Sequence, residues 1–147
     1  MRFRWWAISS FAFAMGFAET AAIIFLKRLY FPEGWRAPFH PIPGEALLLE
    51  QAREAATLVA LGAVAFAGRP GAREGVARAL WMLGLFDLTY YGWLRALTGF
   101  PAALTDLDIV FLLPRAWIAP VWVPVLGSVA AMAAAWILHA ARPRRVV

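Results

Sequence analysis

Residues 5–26 read WWAISSFAFAMGFAETAAIIFL, an apolar run closed by Lys27 and Arg28. About 20 helical residues, at about 1.5 Å each, cross the ~30 Å hydrocarbon core of a bilayer. The stretch is therefore long enough to span. Its single acid, Glu19, lies well inside it. Such a run belongs either to the core of a soluble domain or to a lipid-facing helix, and the rest of the chain decides between them.

Three more runs follow. Residues 117–138, WIAPVWVPVLGSVAAMAAAWIL, contain no charge, and Pro120 and Pro124 stand in the first turns, where a missing N–H costs least. Residues 77–97 form the third span, with Asp87 inside it. The second is best read backwards from Gly68, giving residues 48–67, LLEQAREAATLVALGAVAFA, which encloses Glu50, Arg53 and Glu54. Between the runs, residues 31–44 (FPEGWRAPFHPIPG) and 68–75 (GRPGAREG) are rich in turn formers. Composition favours the bilayer: 63% of the 147 residues are hydrophobic and 16% charged, against about 45–50% and about 25% in soluble domains. A soluble domain this short buries only about two-thirds of its surface and would leave much of that apolar area wet. The expectation is one all-α membrane domain over residues 1–147, a four-transmembrane-helix bundle with spans at about 5–26, 48–67, 77–97 and 117–138.

The segment before the fourth span, residues 101–116 (PAALTDLDIVFLLPRA), differs from the other loops. Its apolar part, Ile109 to Leu113, is too short to cross, and Thr105 three residues ahead of Asp108 resembles a capping box. A short interfacial or re-entrant helix is expected there.

Orientation follows Lys and Arg near the span ends. One side collects Arg2, Arg4, Arg69, Arg73, Arg78, Arg142, Arg144 and Arg145; the other collects Lys27, Arg28, Arg36, Arg53, Arg95 and Arg115. The excess points to both termini in the cytoplasm. The start of the chain has the general form of a cleaved leader, but its apolar run continues past Glu19 to Leu26, so a retained span is expected.

Several chemistries are excluded or disfavoured. There is no cysteine, hence no disulfide or thiolate site within the chain. The +5 net charge sits at the ends of apolar runs rather than along a face, so no nucleic-acid partner is expected. Gly68, Gly71 and Gly75 lack the GKS or GKT ending of a phosphate cradle. Ser9, Ser10 and Ser128 have no histidine at matching depth to activate them. No cofactor is indicated.

Ionisable groups inside a span are costly and mark either a site or a pairing need. Glu19, Arg53, Glu54 and Asp87 lie well inside, with Glu50 at an edge. Glu50 and Glu54 share a helix face, Arg53 lies beside them, and Tyr90 and Tyr91 stand one turn beyond Asp87. Asp108 lies in the loop above. These eight residues are the candidate ligand- or cation-binding set. Glu19, Glu54 and Asp87 against Arg53 leave two surplus carboxylates, each of which must be protonated, bind a cation or receive a base from elsewhere. Three readings stay open: a structural hydrogen-bonded network, a site for a cation, metal or polar head group, and a contact surface for another subunit. A metal site would draw on Glu19, Glu54, Asp87 and His40. All-oxygen ligands would suit Ca²⁺, Mg²⁺ or Mn²⁺, whereas the Glu-x-x-His pairs of di-iron bundles do not occur. Gly127, Ala131 and Ala135 form a small-residue stripe that allows close helix contact, inside the bundle or with another copy or subunit.

The segments GFAETAAIIFLKRLYFPEGW, EQAREAATLVAL, LFDLTYYGWL and TDLDIVFLLPRAWIAPVWVPV together resemble a family of small four-helix bacterial membrane proteins without an assigned function. The likeness covers nearly the whole chain. Its pattern places Trp before both aspartates, where this chain has Phe86 and Leu107. The resemblance implies a multi-pass protein of the bacterial inner membrane, with shared polar positions at Glu19, Glu50, Arg53, Glu54, Asp87, Tyr90, Tyr91 and Asp108. The function expected first is a non-catalytic accessory subunit or small binding protein. The alternative is a membrane-embedded enzyme or cation site built on the carboxylates.

Overall fold

The computed structural model describes residues 5–141. Arg2, Arg4, Arg142, Arg144 and Arg145, which entered the orientation reading, lie outside the described residues. Four α-helices appear in the order α1 (Trp5–Tyr30), α2 (Gly44–Ala65), α3 (Ala72–Thr98) and α4 (Trp122–Ala140), with strands β1 (Leu107–Phe111) and β2 (Trp117–Pro120) between α3 and α4. The protein is mostly helical, as expected. Helices α1 and α4 are long and apolar enough to cross a membrane. Only 22% and 17% of their most apolar windows are buried, so most of the apolar surface of both helices faces outward. Helices α2 and α3 are not of that apolar kind, because Glu50, Arg53 and Glu54 interrupt the first and Asp87 the second.

Helix α3 is the centre of the structure. It packs along α1 on one side and α4 on the other, while α2 rests on α3 and more lightly on α1. Two glycines set these approaches. A Cβ on Gly16 of α1 would strike Thr89 and the Phe86 carbonyl of α3, and one on Gly84 of α3 would meet the Ser128 carbonyl and Met132 of α4. Thr20 reinforces the first contact, donating to the carbonyls of Gly16 (2.8 Å) and Tyr90 (3.1 Å). The apolar core falls into two clusters. Ile8, Ala12, Leu61, Ala65 and Met82 pack at the end carrying the chain termini; Tyr90, Tyr91, Leu94 and Val121 pack at the hairpin end.

The short helix expected around Ile109 to Leu113 is instead an antiparallel β-hairpin, pairing Leu107 with Pro120, Asp108 with Ala119, Ile109 with Ile118, and Phe111 with Trp117 across an irregularity at Val110. Consecutive β-branched and aromatic residues, Ile109-Val110-Phe111, fit a pleated strand, and Pro114 would interrupt a continuing helix. The apparent capping box is used differently. Asp106 closes the preceding turn by accepting from the Ala102 and Ala103 amides at 2.8 and 3.0 Å, and Asp108 turns into the protein. As a further correction, residues 117–120 belong to the hairpin, so α4 begins at Trp122. Pro120 ends a strand and only Pro124 occupies the first turn of the helix.

Candidate functional site

The small-residue stripe of α4 leads to the site. Ala135 is buried and Ala131 half-buried, but Gly127 is exposed with open space where a Cβ would stand. The closest approach of α4 to α3 runs through Ser128 and Met132 onto Gly84 instead. Gly127 and Ala131 therefore do not seal the bundle. They line a cavity of about 330 Å³ whose back wall is α3 and whose side walls are α2 and α4. Among the described residues α2 has no extensive packing against α4, and Leu58 of α2 and Gly127 of α4, both in the cavity lining, are exposed. The hairpin covers it through Asp108 to Leu112.

Glu19, Arg53, Glu54, Asp87, Tyr90 and Asp108 all line this one space. The polar residues form three groups. In the first, Arg53 of α2 bonds Glu19 of α1 through its Nη1 and Glu50 one turn away through its Nε, at 2.8 Å for the latter. The helix geometry explains the second contact, since residues three apart share a face. Glu50 thus serves Arg53 and does not line the cavity.

In the second group, Asp108 is 1% exposed and its carboxylate meets three side chains. It accepts from the Trp35 indole at 2.8 Å and the Tyr91 hydroxyl at 3.2 Å, with Lys27 Nζ at 3.7 Å. The Lys27 ammonium lies over the rings of Trp35 and Phe100, 4.2 Å from each centroid. It is buried and makes no hydrogen bond, so Asp108 and the two π-faces are its compensation. Burial pushes the Asp108 carboxyl above its ordinary value, against the pull of Lys27, Trp35 and Tyr91.

The third group is sparse. Asp87 of α3 accepts one hydrogen bond, from Ser128 of α4 at 2.7 Å. Glu54 of α2 accepts the Leu112 amide at 3.1 Å, while Gln51 donates to the Leu112 carbonyl at 3.0 Å. The latter pair clasps the hairpin to α2 by satisfying both backbone groups of one residue beyond the strand, which the hairpin cannot satisfy itself. Neither Asp87 nor Glu54 faces a cation in an ion pair among the described residues.

Tyr91 lies behind the lining, holding Asp108, while Tyr90 reaches the cavity. His40 is elsewhere. Its Nε2 is 2.7 Å from the Tyr30 carbonyl, its ring packs on Phe31, and it is exposed. Among the described residues no three His, Asp or Glu side chains are grouped to hold a metal ion, so Glu19, Glu54, Asp87 and His40 do not make the ligand set considered above. Trp35, Gln51 and Ser128 were not among the candidate site residues. Only Ser128 carried a usable signal, as the one hydroxyl on α4, a group that needs a partner in an apolar setting.

At the opposite end Glu74 is paired with bases. Glu74 pairs with Arg78 and with His139, each at 3.2 Å, Arg78 also reaches the Ala67 carbonyl at 3.4 Å, and Trp5 packs edge-on to both Trp81 and His139. Chemically, the cavity offers carboxylate oxygens and an apolar wall. It suits recognition of a molecule with a polar head and an apolar body. Comparison with family models, curated proteins and solved structures finds no match to this chain.

Proposed function

We propose that this chain is a four-span integral membrane protein that binds a small amphiphile in the cavity between α2 and α4, acting as a binding protein rather than a catalyst. The observation that carries the reading is a partly polar, roughly 330 Å³ cavity whose lining includes exposed residues of α2 and α4, Leu58 and Gly127, a size at the lower end of the ~300–1,000 Å³ range of ligand pockets. Large apolar side chains are exposed on every helix, among them Phe25 and Leu29 on α1, Leu48 and Val59 on α2, Leu97 on α3, and Trp136 and Ile137 on α4. Such a surface is a liability in water and ordinary in lipid. With lipid around the bundle, the opening admits a molecule from the bilayer rather than from solution.

The charges of α2 and α3 support a span for each of these helices as well, because they turn inward. Arg53 meets Glu19, Asp87 meets Ser128, and Glu54 meets the hairpin. A polar residue satisfied inside the bundle is compatible with crossing. Both termini are assigned to the cytoplasm and the cavity to the outer half of a bacterial inner membrane, in keeping with the resemblance to small four-helix bacterial membrane proteins.

The test is native mass spectrometry of the full chain purified in a neutral detergent. A stoichiometric adduct carried from the membrane is expected, lost when Ala131→Leu fills the cavity. A folded, monodisperse protein that carries no adduct and gains none from added membrane lipid extract would sink the reading.

A further inference from the structure

Resting on that reading, the charge bookkeeping of the cavity names the head group. We infer that the ligand is a lipophilic organic ammonium ion, its charge drawn by the carboxylates of Glu54 and Asp87 that line the cavity and its apolar body lying between α2 and α4. The lining holds four acids, Glu19, Glu54, Asp87 and Asp108, and two bases, Lys27 and Arg53. Both bases are committed. Arg53 is shared by Glu19 and Glu50, and Lys27 stands against Asp108 between two aromatic rings. What remains is Glu54 and Asp87, held by neutral donors alone: the backbone amides of Leu112 and Leu113 for Glu54 and the Ser128 hydroxyl on Oδ2 for Asp87. An anionic head group would meet two carboxylates and no uncommitted cation. A cation would meet the two lining carboxylates that no ion pair among the described residues neutralises.

The rest of the wall selects among cations. Phe86, Tyr90, Phe111 and Trp117 line the same space, and aromatic faces attract alkylammonium groups by cation–π interaction while offering nothing to a hydrated metal ion. A metal would also need a set of ligands that the described residues do not bring together. An amine on an apolar skeleton satisfies the carboxylates and the aromatic and aliphatic wall at once.

Three probes with one skeleton separate the possibilities: 4-phenylbutylammonium, 4-phenylbutanol and 4-phenylbutyrate, titrated calorimetrically into the full chain in neutral detergent at pH 7. The ammonium is expected to bind at least tenfold more tightly than the alcohol, and the carboxylate most weakly. Glu54→Gln and Asp87→Asn should each remove tenfold or more of the ammonium affinity and leave the alcohol within about twofold; Ala131→Leu should weaken both. If Asp87→Asn does not fold, Glu54→Gln alone carries the charge test. Equal binding of ammonium and alcohol, or preference for the carboxylate, overturns the ammonium assignment while the cavity remains a binding site. Failure of all three probes, together with no adduct in the native protein, overturns both readings.

Discussion

At the end carrying the chain termini, Glu74 is met by both Arg78 and His139 beside Trp5 and Trp81. At the hairpin end, Asp108 and Lys27 are paired, yet Glu54 and Asp87 meet only backbone amides and a hydroxyl beside open space. The two ends have similar materials, acids and bases among aromatic rings. They differ in whether the charges close on themselves. A closed network holds helices together; an open one in a low dielectric leaves attraction to spare for something else.

The contrast breaks most strongly at Asp108. Replacing it with Ala strands the Lys27 ammonium and deprives Trp35 and Tyr91 of their acceptor, for an expected loss of about 3–5 kcal/mol. Unfolding followed by tryptophan fluorescence in detergent should register it. Adding Lys27→Met should recover much of the loss, because the unpaired charge rather than the missing contact is the larger cost. If the double variant is no better than the single one, the pair is not what makes this position costly.

Next comes Gly84. A Val there drives into the Ser128 carbonyl and separates α3 from α4, costing about 1–3 kcal/mol as overpacking does. The same substitution at Gly127 meets no neighbouring atom and should leave unfolding within about 0.5 kcal/mol. Equal effects at the two glycines would contradict the placement of the opening.

At the termini end, Arg78→Met takes one cation from Glu74 and should cost about 1–2 kcal/mol, with His139 keeping part of the network. The smallest effect is expected at Asp87. Asp87→Asn keeps an oxygen for Ser128 and should change stability by less than about 1 kcal/mol in either direction, whatever it does to ligand affinity. Parallel unfolding curves of these two variants sharpen the comparison. A larger loss for Asp87→Asn than for Arg78→Met would make the Asp87 carboxylate a structural group.

That α1 and α4 are long and apolar enough to cross a membrane was legible in residues 5–26 and 117–138, because length and hydropathy are read directly from the run. The inward facing of Glu19, Arg53, Glu54 and Asp87 was legible as a cost argument, and all four line one cavity. The hairpin was not legible. Residues 107–113 are apolar in a short window where helix and strand periodicity cannot be told apart, and the apparent capping residues belong to other bonds. Nor was the committed state of Lys27 visible. Its partners lie 8, 73 and 81 positions away at Trp35, Phe100 and Asp108.

By itself the sequence determined the helical class, the apolar lengths of α1 and α4 and which polar residues had to be accounted for, since length, hydropathy and charge are local properties of the chain. Only the tertiary structure decided which acid received which base, and that α2 and α4 stand apart across a cavity. Pairing depends on distances between residues far apart in the chain, and a gap between two helices depends on what packs between them. Neither quantity has a counterpart in the order of the residues.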